Sequence, residues 1–282
     1  MKILDGKALS DKIKSNVKLE VKNLQEQYKI TPGLAVILVG NDAASATYVK
    51  MKSKACHDAG IYSVIHEMPE TISQESILDT IKMMNANPNI DGILVQLPLP
   101  SHIDTTKILE AIDPSKDVDG FHAYNVGRTQ SGLEGFIPAT PYGVMELLKE
   151  YEIDVKGMNA CVVGASNIVG KPMATLLLNQ NATVTTCHIF TKNLKEHTLN
   201  ADIICVGVGK PNLLTADMVR DGAIVVDIGI NRLADGKLVG DVDFENVAPK
   251  CSFITPVPGG VGPMTIAMLL VNTIKAAKSK VQ

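Results

Sequence analysis

The chain has 282 residues, 45% hydrophobic and 20% charged, with a formal net charge of −3. That length accommodates one large domain or two ordinary ones, the hydrophobic share supplies an ample core, and the absence of a basic stripe interleaved with aromatics argues against nucleic acid as a partner. The five cysteines (Cys56, Cys161, Cys187, Cys205, Cys251) show no metal-ligand spacing, so buried thiols in a reducing compartment and no metal are expected. A charged N-terminal stretch without an apolar core, and no apolar run approaching a membrane span, give the expectation of a cytoplasmic protein with no membrane partner.

In chain order, Leu34–Val39 is an apolar run of strand length. Asn41 or Asp42 then caps a helix running to Ala59, which Gly60 stops. Ile61–His66 is the next strand, Ser73 and Ser76 open a helix to about Asn87, and Ile90–Leu97 is a third strand ended by Pro98 and Pro100. This β-α-β-α-β order implies a parallel sheet with right-handed crossovers. A second alternation follows: strand Ala160–Val163, helix Gly170–Asn179, strand Thr183–Cys187, then apolar strands Ile203–Val206 and Ala223–Ile228. A long C-terminal helix begins after Pro263 and reaches about Lys278. The segment between the blocks, Asp119–Pro141, is rich in Gly, Pro and Asn. The fold expected is α/β with two domains. An N-terminal parallel-sheet domain takes residues 1–138 plus 264–282, with the C-terminal helix packing back on it, and a Rossmann-like domain takes 139–263.

Three lysines, Lys50, Lys52 and Lys54, stand two apart on the first of these helices. Residues i and i+4 share a helix face, whereas i and i+2 point nearly opposite ways. Lys50 and Lys54 therefore share one face, and Lys52 shares another with Tyr48 and Ser45. A desolvated lysine has a lowered pKa and exchanges protons near neutrality; the competing reading is one more surface lysine. Gln96 lies at a strand's carboxyl end, where ligands bind in open parallel sheets; the alternative is an edge-strand glutamine in water. In Lys116-Asp-Val-Asp119-Gly, Asp119 accepts hydrogen bonds from a substrate or serves as a turn residue. Val162-Val-Gly164-Ala165-Ser166-Asn-Ile-Val-Gly170 has the strand–turn–helix context of a phosphate loop, although Ser166 and Val169 stand where a Gly-x-Gly-x-x-Gly pattern has its later glycines. The following strand ends without the Asp or Glu that accepts the ribose 2′-hydroxyl of NAD, and offers His188 and Lys192 instead, which tilts the expectation to NADP. Thr255-Pro-Val-Pro258-Gly259-Gly260-Val-Gly-Pro263 is stiffened by prolines and opened by glycines, and reads as a ligand-lining loop or a plain helix entry.

Together these segments resemble the bifunctional methylenetetrahydrofolate dehydrogenase/methenyltetrahydrofolate cyclohydrolase family. The resemblance runs from Leu4-Asp-Gly-Lys7 to the C-terminal helix and rests on Tyr48-Val-Lys-Met-Lys52-Ser-Lys-Ala, Val95-Gln96-Leu-Pro-Leu-Pro100, Lys116-Asp-Val-Asp119-Gly and Thr255-Pro-Val-Pro-Gly-Gly-Val-Gly-Pro-Met-Thr265. It implies a homodimer that oxidises 5,10-methylenetetrahydrofolate with NADP and hydrolyses the methenyl product to 10-formyltetrahydrofolate. In it Lys52 is the acid/base, Tyr48 stacks on the folate and orients Lys52, Gln96 positions Lys52, and Asp119 holds the pterin. Pro258, Gly259 and Gly260 line the folate side; Gly164, Ala165 and Ser166 bind the cofactor, with Ile230 near its nicotinamide half. Some relatives carry Arg where this chain has Ala165 and Ile189, so NAD stays a less favoured cofactor. The rival expectations are a cyclohydrolase alone with a degraded NADP site, and a non-catalytic folate-binding protein.

Overall fold

The computed structural model describes residues 1–281. The chain begins with a two-residue strand, β1 (Lys2–Ile3), and helix α1 (Gly6–Tyr28). It continues through β2 (Gly33–Val39), α2 (Ala43–Ala59), β3 (Tyr62–Met68), α3 (Gln74–Ala86) and β4 (Gly92–Val95). Three shorter helices follow, α4 (Thr105–Glu110), α5 (Ala123–Gln130) and α6 (Ala139–Glu150). Then come β5 (Asn159–Val163), α7 (Gly170–Asn179), β6 (Thr183–Cys187), α8 (Leu194–Leu199), β7 (Ile203–Val206) and β8 (Ile224–Asp227). A small antiparallel pair, β9 (Asn231–Arg232) and β10 (Leu238–Val239), precedes α9 (Phe244–Val247), β11 (Phe253–Ile254) and the last helix, α10 (Val261–Lys278).

The chain divides into two compact units. One comprises Lys12–Arg128, Glu134–Ile137 and Ile266–Gln282. Its sheet has the order β3-β2-β4, parallel throughout. β2 explains the architecture, because all seven of its residues are buried. Leu34, Val36 and Leu38 enter a layer with Val49, Cys56 and Ala59 of α2 and Leu269, Leu270 and Ile274 of α10, whereas Ala35, Ile37 and Val39 enter the opposite layer with Ile77 and Ile81 of α3. A strand covered on both faces needs a continuous apolar run rather than an alternating one. The C-terminal helix thus packs onto this sheet, as the sequence led us to expect. α2 opens where Asp42 Oδ2 accepts from Ser45 N at 2.7 Å and ends at Gly60 with φ +82°, and Ser73 caps α3 by accepting from Ser76 N. The third strand, Gly92–Val95, is shorter than the apolar run Ile90–Leu97, and just past it Gln96 N still donates to Ile37 O of β2 at 2.9 Å.

The other unit comprises Met1–Asp11, Thr129–Leu133 and Pro138–Thr265. Its six-stranded sheet has the order β1-β11-β8-β7-β5-β6, with every pairing parallel. Leaving β5 the chain first goes to β6 on one side, then returns to β7 on the other. The crevice outside the carboxyl ends of β5 and β7 is therefore the topological switch point, where ligands bind in doubly wound sheets. The three-stranded sheet has the same property between β2 and β4.

Candidate functional site

Helix α2 buries one stripe, Ser45, Val49, Lys52, Cys56 and Ala59, with the spacing of a single helix face. Four of these are small or apolar, and the fifth is a lysine only 6% exposed. Lys50 and Lys54 are exposed, and Lys54 pairs with Asp58. Lys52 Nζ donates to Gln96 Oε1 at 3.1 Å and stands 4.7 Å from the centre of the Tyr48 ring. Gln96 sits at the carboxyl end of β4, at the switch point. Its Nε2 donates to Leu97 O at 2.8 Å, which leaves Oε1 turned to the lysine. Burial pushes the Lys52 pKa down, opposed in part by Asp119. A lysine so placed holds a neutral, basic amine at a lower pH than a surface lysine does.

The two aspartates of Lys116–Gly120 separate into distinct roles. Asp117 is buried and saturated: its carboxylate accepts from Phe121 N at 3.2 Å, His122 N at 2.9 Å and Asn125 Nδ2 at 2.9 Å. It is the turn residue. Asp119 is half-buried, and its carboxylate makes no hydrogen bond with any described residue. Burial raises its pKa to about 6 against the opposing pull of Lys52. A partly desolvated carboxylate with unused acceptor positions suits a ligand that presents N–H donors. Asn272 of α10, 1% exposed, donates to Val118 O at 2.8 Å and Ile137 O at 2.9 Å, and so fixes the backbone beside Asp119. The sequence reading passed over it. A lone asparagine inside the apolar run Ile266–Ile274 is the signal that exposes it.

Gly164, Ala165, Ser166, Ile230, Pro258, Gly259 and Gly260 all belong to the six-stranded unit. Gly164 follows β5 with φ +124°, and a Cβ there would lie 2.6 Å from Gly207 O. A Cβ on Gly170 would lie 2.0 Å from Gly164 O, so Gly170 does the close-packing work of a third loop glycine from one position later. Ser166 Oγ accepts from Val169 N and Gly170 N at 3.1 and 3.3 Å, holding the first turn of α7 in place. Ala165 is half-exposed beside it. This glycine-constrained turn at a switch point, opening a ten-residue helix, fits a dinucleotide phosphate. After β6, Ile189 and Phe190 are 91% and 85% exposed, and His188 and Lys192 are exposed as well. Ile230 is 55% exposed, next to the end of β8. In the proline-rich loop, Gly259 has φ +105° and its carbonyl accepts from Lys7 N, while a Cβ on Gly260 would lie 2.5 Å from Pro256 O. Among the described residues no cluster of His, Cys, Asp or Glu is arranged to hold a metal, and no helix is long and apolar enough to cross a membrane.

Residues 4–119 match the model of the tetrahydrofolate dehydrogenase/cyclohydrolase catalytic domain, and residues 138–281 that of the same family's NAD(P)-binding domain. A curated relative from Nitratiruptor sp., named "Bifunctional protein FolD", is 73% identical over 280 residues, covering 99% of each chain. The crystal structure of the bifunctional enzyme FolD from Campylobacter jejuni is 59% identical, covers 99% of each chain and superposes with a TM-score of 0.98. A methylenetetrahydrofolate dehydrogenase-cyclohydrolase from Trypanosoma brucei, described as complexed with NADP cofactor and inhibitor, is 36% identical over 99% of this chain and 98% of that one, with a TM-score of 0.96. The fold, the two chemically distinct sites and these matches agree: the chain belongs to the tetrahydrofolate dehydrogenase/cyclohydrolase family.

Proposed function

We propose that this chain oxidises 5,10-methylenetetrahydrofolate to the 5,10-methenyl cation with NADP and then hydrolyses that cation to 10-formyltetrahydrofolate. The observation that carries the reading is Lys52, a buried lysine of lowered pKa fixed between Gln96 and Tyr48, in the unit that also holds the unsaturated Asp119. In the dehydrogenase step a hydride leaves the methylene carbon, and NADP, when bound, is its acceptor. Oxidation therefore requires no net proton transfer from the protein. Lys52 and the Tyr48 ring orient the substrate, and Asp119 receives the pterin's N–H groups. In the hydrolytic step, neutral Lys52 takes a proton from water as its oxygen bonds to the methenyl carbon. The carbon–N5 bond then breaks as the added oxygen forms the formyl C=O, with Lys52 returning its proton to N5 and the remaining O–H proton passing to water, the one proton released overall. Gln96 accepts from Lys52 throughout and holds Nζ in place.

Gly164, Ala165 and Ser166 bind the cofactor phosphates, Ile230 lies near the nicotinamide half, and Pro258, Gly259 and Gly260 line the folate side. The support is the glycine-constrained turn and the absence of an acidic residue after β6. The domains are proposed as 1–138 plus 264–282 and 139–263. A cytoplasmic homodimer associating through the nucleotide domain completes the proposal; it rests on the family resemblance, and sedimentation at twice the 30.2 kDa chain mass tests it. The test of function is turnover: purified protein given methylenetetrahydrofolate and NADP forms NADPH and 10-formyltetrahydrofolate, and failure to form either product defeats the reading.

A further inference from the structure

Two buried carboxylates in the six-stranded unit take no part in the chemistry above. Asp241 is 0% exposed and Asp227 is 3% exposed. Asp241 Oδ2 accepts from Val208 N at 2.6 Å and Gly209 N at 3.0 Å; its Oδ1 accepts from Lys210 N at 2.8 Å and Asn231 Nδ2 at 2.9 Å. Three consecutive backbone N–H groups after β7 and one side chain after β8 thus converge on a single carboxylate. Asp227, the last residue of β8, holds Asp241 in turn: its Oδ1 accepts from Asp241 N and Gly229 N, and its Oδ2 from Val242 N. Thr255 Oγ1 accepts from Asp227 N at 2.7 Å, so the start of the proline-rich loop joins the same chain of contacts. The glycines around the pair leave no freedom. A Cβ on Gly229 would lie 2.3 Å from the Asp241 carboxyl carbon, and one on Gly240 would lie 1.8 Å from Asp227 Oδ2.

The loops that Asp241 gathers carry exposed apolar side chains, Val208 at 42% and Ile230 at 55%. Val208 lies beside the phosphate turn, since a Cβ on Gly164 would be 3.3 Å from Val208 Cγ1. Ile230 lies beside the first turn of α10, since a Cβ on Gly262 would be 3.1 Å from Ile230 Cδ1. We propose that Asp241 is a positioning residue for cofactor binding: it clamps the 208–210 and 229–231 loops together at the carboxyl ends of β7 and β8, so that Val208 and Ile230 present a preformed apolar wall to the dinucleotide. This rests on the NADP reading above. Preforming the wall avoids ordering two loops at the moment of binding, and that saving appears as affinity. The carboxylate also suits four N–H donors better than a neutral amide, which places two donors of its own among them.

The test uses the full-length protein, with NADP as the probe and methenyltetrahydrofolate hydrolysis, which consumes no NADP, as the control. Asp241→Asn is expected to weaken the NADP Kd by about tenfold or more, and Asn231→Ala, which removes one of the four donors, by about threefold. Cyclohydrolase rate should stay within about threefold of native in both variants, a split that a general loss of fold would not give. If Asp241→Asn fails to fold, Asn231→Ala alone decides, its wild-type-like NADP affinity refuting the clamp. Unchanged NADP affinity in a folded Asp241→Asn, or parallel loss of NADP affinity and cyclohydrolase rate, likewise overturns the proposal. A native protein that hydrolyses methenyltetrahydrofolate but binds no NADP defeats the cofactor reading, and this inference with it.

Discussion

Replacing Lys52 by methionine separates function from folding, because the two effects have opposite signs. Lys52 is 6% exposed on the buried stripe of α2, between Val49 and Cys56. A methionine fills similar space with no charge to desolvate, and an effective desolvation penalty of several kcal/mol disappears. Against this stand the lost bond to Gln96, worth about 1.5–3 kcal/mol, and the lost Tyr48 contact, worth about 0.5–2 kcal/mol. Gln96 is half-exposed, so water replaces the lysine at Oε1. The balance predicts a melting temperature equal to or above native. Loss of a general acid–base group, by contrast, removes about 10²–10⁴-fold in rate. The assay is methenyltetrahydrofolate hydrolysis alongside thermal unfolding, with Lys50→Met as the control. A Lys52→Met protein hydrolysing within about tenfold of native, or a large loss of stability accompanying the lost rate, would refute the reasoning. The pH dependence carries a further sign. A lysine whose folded pKa is lowered from 10.5 binds fewer protons folded than unfolded between those two values. Its contribution to stability is therefore fully present above 10.5 and is lost as pH falls through the lowered pKa. Lys52→Met should remove that slope.

Asp119→Ala should weaken folate binding by about 10- to 150-fold while leaving NADP affinity nearly unchanged, measured by calorimetric titration of both ligands; equal losses would make Asp119 a structural residue. Because burial holds its pKa at about 6, the KM for folate should rise as pH falls through that value, where the carboxylate stops accepting. The stability sign is opposite: its folded pKa is raised from 3.8, so its contribution is fully present below 3.8 and lost as pH rises through about 6. Gly164→Ala forces a side chain into φ +124° and against Gly207 O, and strain of about 1–3 kcal/mol there should lower stability and NADP affinity together; a native NADP Kd in this variant argues against the turn as the phosphate site. Lys192→Ala should raise the KM for NADP several-fold and leave that for NAD unchanged, with the difference shrinking at high salt because an exposed charge pair is screened. Equal effects on both cofactors would remove Lys192 from contact with the 2′-phosphate.

The parts of the fold most legible in the sequence are those set by local chemistry. Asp42 and Gly60 bracket α2, Ser73 opens α3, and the run Leu34–Val39 requires a strand covered on both faces. Lys52 was distinguishable from its neighbours by helical spacing alone. What stayed hidden depends on contacts distant in sequence. β1 and β11 have two residues each and exist only because they pair along the edge of a larger sheet. Helix α1 carries a signal of its own, with Leu9, Val17, Val21 and Leu24 all buried along one stripe. Asp117 and Asp119 look alike in sequence, and only the donors around each separate the turn residue from the open carboxylate. Asp227 closes the apolar strand Ile224-Val-Val-Asp227. A buried acid in such a run calls for partners, and two of its carboxylate's three donors, Asp241 N and Val242 N, lie 14 and 15 residues away in the chain.

The most direct measurement gives the native protein methylenetetrahydrofolate and NADP and follows the reduced cofactor and 10-formyltetrahydrofolate separately. We predict NADPH formation that begins without a lag, followed by the formyl product, with NADP turned over faster than NAD. Hydrolysis of supplied methenyltetrahydrofolate without any NADPH would leave a cyclohydrolase alone. Folate binding without either product would leave a non-catalytic binding protein, and either outcome would contradict the bifunctional account.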